Sequence, residues 1–84
     1  MAKTIHREEY RQLVDLLRKR RESLGVSQGA LARELGWTQQ KVSYVETGAR
    51  RMDVLEYVAL AKALGIKPVT ALRQAEELAD GKVR

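Results

Sequence analysis

The chain has 84 residues, a formal net charge of +5, 44% hydrophobic residues, three Tyr, one Trp, one His and no Cys or Phe. At that length it forms one small domain spanning 1–84, its core must be mostly aliphatic, and neither disulfides nor thiolate metal sites can contribute to it. With no apolar signal core at the N-terminus and no segment near the roughly 20 apolar residues of a membrane span, a cytoplasmic protein is expected.

The scarcity of β-branched alternation and the wealth of Ala, Leu, Glu, Lys and Arg predict an all-α fold of five helices. Residues 1–6, which include His6, read as a flexible start; His6 has no second metal ligand in helical register and is expected in solvent. A first helix runs from about Arg7 to Leu24, with Tyr10, Leu13, Val14, Leu17 and Leu24 as its apolar stripe and Gly25 ending it. The basic run Arg18-Lys19-Arg20-Arg21 spans a full turn, so its four charges cannot share one face or one role.

Ser27–Gly48 reads as two short helices joined by a tight turn. Ser27 caps the first, Gly36 breaks it, and Thr38 caps the second. In the first, Leu31, Ala32 and Leu35 face the core, and Gln28 lies in the opening turn, where a side-chain amide and backbone N–H groups can meet a phosphate. In the second, over residues 38–46, Val42 and Val45 fall on one side. Gln39, Gln40, Ser43 and Tyr44 fall on the other. That outward group is uncharged but rich in donors and acceptors, and a Gln amide can pair bidentately with the N6/N7 edge of adenine in the major groove. Tyr44, off the centre of the face, can reach a thymine methyl, a sugar or a phosphate. Lys41 on the flank suits a phosphate, and the Trp37 indole is expected over the edge of the core.

Asp53 and Glu56 have capping-box spacing, so a fourth helix should run to about Leu64. Its apolar residues Val54, Leu55, Val58, Leu60, Ala61 and Leu64 exceed one narrow stripe and leave surface for another chain. Gly65 stops it. Pro68 suits the first turn of a fifth helix to about Ala79, with Val69, Leu72, Ala75 and Leu78 completing the core or joining a dimer interface. Residues 80–84 read as a frayed tail. Residues 1–51 hold 11 Lys/Arg against 6 Asp/Glu, whereas residues 52–84 hold 5 of each. The positive excess therefore lies with the two short helices and points to a polyanionic partner.

The ordered set Ser27-Gln28, Leu31-Ala32, Leu35-Gly36, Thr38-Gln39-Gln40 and Val45-Glu46-Thr47-Gly48, followed by Ala61-Lys62-Ala63-Leu64-Gly65-Ile66, resembles the XRE or Cro/phage-repressor helix-turn-helix family over about Leu13–Ile66. The resemblance implies the compact five-helix phage-repressor fold, with the motif at about 27–48 and its second helix entering the major groove of double-stranded DNA. It implies base reading by Gln39, Gln40, Ser43 and Tyr44, and backbone contact by Gln28, Thr38, Lys41, Arg50 and Arg51. It also implies an ion pair between Arg21 and Glu46 that locks the first helix to the end of the recognition helix, and a Gln28 that steadies Gln39. Three residues depart from the family pattern: Gly29 inside a helix, the large Trp37 in the turn, and Lys67 where a small polar cap is usual.

No enzymatic chemistry is expected. The only His has no evident acid or base partner, and neither a glycine-rich phosphate loop nor metal-spaced ligands occur, so no cofactor or metal is implied. The expected function is a sequence-specific transcriptional regulator, a repressor binding a pseudo-palindromic operator as a homodimer. The alternative is an antitoxin that binds a protein toxin and autoregulates its operon.

Overall fold

Five helices make up the computed structural model, which describes residues 8–83 and the side chains of residues 8–77. They are α1 (Glu8–Ser23), α2 (Gln28–Leu35), α3 (Gln39–Thr47), α4 (Val54–Ala63) and α5 (Pro68–Val83). The expected all-α, five-helix architecture is the one observed. Residues 1–6, with His6, lie outside the described residues.

The helix starts have local chemical causes. The Ser27 hydroxyl oxygen accepts from the Ala30 N–H at 3.0 Å, and Thr38 Oγ1 accepts from the Lys41 N–H at 3.1 Å. At α4 the box is reciprocal: the Glu56 N–H donates to Asp53 Oδ1 at 2.7 Å, and the Asp53 N–H donates to Glu56 Oε1 at 3.0 Å. These side chains satisfy N–H groups that a helix start leaves without partners, each stabilising by about 1 kcal/mol. Between α2 and α3 the chain reverses through Gly36 at φ +73°. The Trp37 N–H then reaches back to the Ala32 carbonyl at 2.9 Å. A Cβ at that left-handed position costs about 1–2 kcal/mol, which is why glycine ends this helix.

Leu17, Leu31, Ala32, Val42, Val45, Tyr57, Leu60, Ala61, Leu64 and Ala71 form one buried cluster, with Leu13, Leu16, Trp37, Met52 and Val58 packed against it. Helix α1 packs on α3 and α5, α2 on α3 and α4, and α4 on α5. The core is aliphatic except for Tyr57, whose hydroxyl donates to the Pro68 carbonyl and ties α4 to the start of α5. Burial pushes the Tyr57 phenol above its usual pKa.

Several sequence expectations are corrected. Leu24 is exposed, because α1 ends at Ser23 and the chain turns away before Leu24 can reach the core. On α5, Val69 and Leu72 are exposed, so of the two alternatives for this stripe the core one is corrected and the interface one stays open; the inward residue is Ala71, and the Leu78 side chain lies outside the described residues. Helical periodicity fits either face, and the small side chain is the one admitted where α5 meets the core. Helix α5 continues to Val83, past the expected end at Ala79. In the basic run, the Arg20 Nε donates to the Leu64 carbonyl at 2.9 Å and closes the C-terminus of α4. Arg18 and Lys19 instead pair with Asp15 at 2.7 and 3.3 Å, so the basic run is divided among separate tasks.

Candidate nucleic-acid interface

Helix α3 is anchored on its inner side by Val42 and Val45, each 1% exposed. That burial, with the Thr38 cap at its start, fixes which residues face outward: Gln39, Gln40 and Tyr44 are exposed, and Ser43 is half-buried beside them. Gln40 Nε2 donates to the Tyr44 hydroxyl at 2.9 Å, one turn along the helix. The pair leaves the Gln40 carbonyl oxygen as an acceptor and the Tyr44 O–H as a donor, both on exposed side chains.

Gln39 is held from behind. Its Nε2 donates to Gln28 Oε1 at 3.2 Å, and Gln28 Nε2 in turn donates to Glu46 Oε1 at 2.9 Å. Glu46 receives a forked contact from Arg21, Nε to Oε2 at 2.7 Å and Nη2 to Oε1 at 3.0 Å. Arg21 also donates to the Val26 carbonyl at 2.8 Å, which fixes the turn before α2. The chain of contacts Arg21–Glu46–Gln28–Gln39 thus runs from α1 through the end of α3 and the start of α2 to the first residue of α3. The Glu46 carboxylate beside it raises the Arg21 pKa further, so this guanidinium stays charged. Gln28, expected at a phosphate, has both ends of its amide engaged inside the protein, and one amide hydrogen remains beyond those two bonds.

The flanking cations converge on one carboxylate. Arg50 Nη1 and Nη2 donate to Glu56 Oε1 and Oε2 at 2.9 and 3.1 Å. Lys41 Nζ lies 2.9 Å from Glu56 Oε2 and 4.2 Å from the centre of the Trp37 ring. Arg50, Lys41 and the Asp53 N–H, in that order, pull the Glu56 carboxyl down to a pKa of about 2. Trp37 therefore covers the core edge, as expected, and also seats the Lys41 ammonium. Arg51 lies over the Tyr10 ring at 4.6 Å, and the Tyr10 hydroxyl accepts from the Met52 N–H at 3.0 Å, so α1 pins the loop that follows α3. The same loop is closed from the other side by the Arg50 N–H, which donates to the Tyr44 carbonyl at 3.1 Å.

The spacing of Glu56 from Asp53 predicts its capping role but not its contacts with Lys41 and Arg50. The only available signal was a carboxylate following two arginines after a short loop. Tyr10 belongs to the apolar stripe of α1, and its pinning of the loop has no sequence signature. Among the described residues no three His, Cys, Asp or Glu side chains are grouped to hold a metal, and no helix is long and apolar enough to cross a membrane.

The family model described as a helix-turn-helix domain matches residues 12–77. Among solved structures, an XRE-family like protein from Pseudomonas syringae pv. tomato str. DC3000 is similar at 38% sequence identity and a TM-score of 0.82, the match covering 90% of this chain and 93% of that one. No curated protein matches the sequence.

Proposed function

As a member of the XRE-type helix-turn-helix family, the chain is a DNA-binding regulator, and we propose that it acts as a cytoplasmic repressor that reads a pseudo-palindromic operator as a homodimer. The observation that carries the reading is the buttress behind Gln39: three helices supply the side chains that hold one exposed amide at the start of α3. An amide fixed in this way loses little freedom on meeting a base edge, and base edges are where sequence is read. In this reading Gln39 and Gln40 contact bases, with Ser43 and Tyr44 completing the face. Thr38, Gln28, Lys41, Arg50 and Arg51 contact the backbone and set the register.

One domain of this size touches only a short site. Two copies related by a two-fold axis place their reading helices in successive major grooves about 34 Å apart. The exposed apolar residues Val54 and Leu55 on α4, and Val69 and Leu72 on α5, supply surface on which a second copy can pack. Repression follows where the operator overlaps a promoter.

The test is selection from a pool of random duplex DNA at two salt concentrations, with wild type beside Gln39→Ala and Arg50→Ala. The expected result is a two-fold-related motif whose base preference changes with Gln39→Ala, while Arg50→Ala weakens binding across all sequences and lowers the salt slope by about one unit. The absence of any enriched motif would overturn the base-reading assignment.

A further inference from the structure

We propose that Glu56 is a charge brake on the interface: its carboxylate holds Lys41 and Arg50 together, presents them in fixed positions, and lowers affinity for DNA of arbitrary sequence. The inference rests on the DNA-binding reading above and adds to it a residue that sets how far backbone attraction contributes.

The geometry is specific. Lys41 comes from α3 and Arg50 from the loop after it, yet both reach the same carboxylate, at 2.9 Å each, and the Glu56 side chain is only 15% exposed. One oxygen accepts from Arg50 and from the Asp53 N–H; the other accepts from Arg50 and Lys41. The group therefore presents a net single positive charge where two cations stand. An approaching phosphate meets a carboxylate directly behind both of its partners. A guanidinium has five N–H donors and an ammonium three, so both cations can turn remaining donors outward without leaving Glu56. Phosphate contact persists under the brake, but with fewer counterions displaced. Since backbone attraction carries no sequence information, weakening it lowers affinity for every duplex alike and leaves discrimination to the base contacts.

The test is a salt titration of a labelled duplex of arbitrary sequence with wild type and Glu56→Gln. Gln also serves at the third helical position of a capping box, so α4 keeps its cap. Glu56→Ala is a second variant, in which Asp53 still accepts from the backbone N–H of residue 56 and the same result is expected. Freeing one positive charge steepens the log–log salt slope by about 0.9, which is about an eightfold gain at 0.1 M salt if the lines meet at 1 M. Glu77→Gln, which adds the same charge on an exposed position of α5, should give a much smaller gain. Equal affinity for wild type and both Glu56 variants, with wild type binding, would overturn the brake alone, as would an equal gain from Glu77→Gln. A wild-type chain that binds no duplex at any salt would overturn the DNA-binding reading and the brake together.

Discussion

Replacing Glu46 with Ala removes the hub of the buttress. The Arg21 and Glu46 side chains are 11% and 8% exposed, and the carboxylate accepts from Arg21 at 2.7 Å. It also accepts from Arg21 Nη2 at 3.0 Å and from Gln28 at 2.9 Å. Removing one partner of a buried pair costs about 3–5 kcal/mol, because the other charge is left desolvated. Arg21 keeps its bond to the Val26 carbonyl, which places the loss near the lower end, about 3 kcal/mol. For a domain of this size each kcal/mol moves the melting temperature by about 4–8 °C, so a fall of about 12–24 °C is expected by circular dichroism. Arg21→Met with Glu46→Leu, which replaces both charges by apolar groups, should recover much of that loss. A loss below about 1 kcal/mol for Glu46→Ala, the range of exposed ion pairs, would refute the claim that this contact locks α1 to α3.

Two further outcomes follow from particular residues. Gly29 lies inside α2, and a Cβ there would meet nothing closer than the Arg33 and Ser27 side chains at 3.9 Å. Gly29→Ala should therefore stabilise by about 0.5–1 kcal/mol in denaturant unfolding with DNA affinity unchanged; reduced affinity in a more stable protein would instead mark Gly29 as a point of close approach. The Glu56 carboxyl, ordinarily at 4.5, is held at about 2 in the folded chain. The unfolded chain takes up that proton more readily, so the stabilisation is fully present above about pH 4.5 and is lost as pH falls toward 2. Melting temperatures of Glu56→Gln should accordingly fall less than those of wild type across that interval, and equal falls would contradict the assigned pairing.

The helix-turn-helix was legible because its determinants are local. Ser27, Thr38 and Asp53 cap what they were expected to cap, Gly36 ends α2, and Val42 and Val45 face inward at helical spacing. The outward set of Gln39, Gln40 and Tyr44 follows from that same periodicity. What escaped depends on which elements meet. The periodicity of α5 allows either Val69 and Leu72 or Ala71 to face the core, and only packing selects Ala71. Tyr57 lies inside an apolar run whose other members already fill a stripe, and its place in the core, with its hydroxyl donating to the Pro68 carbonyl, depends on how α5 packs on α4. Glu56 has a local role that its spacing reveals, and a second one that exists only because α3 and the following loop bring Lys41 and Arg50 to it.

The central claim is that Gln39 reads a base from a fixed position, and a cycle between residue and base pair tests it most directly. Wild type and Gln39→Ala would be titrated against the selected operator and against operators with each base pair exchanged in turn. The expected result is that Gln39→Ala loses about 1–3 kcal/mol of discrimination at one position per half-site, while both proteins keep their discrimination at the other positions. Equal discrimination by the two proteins at every position would contradict the account.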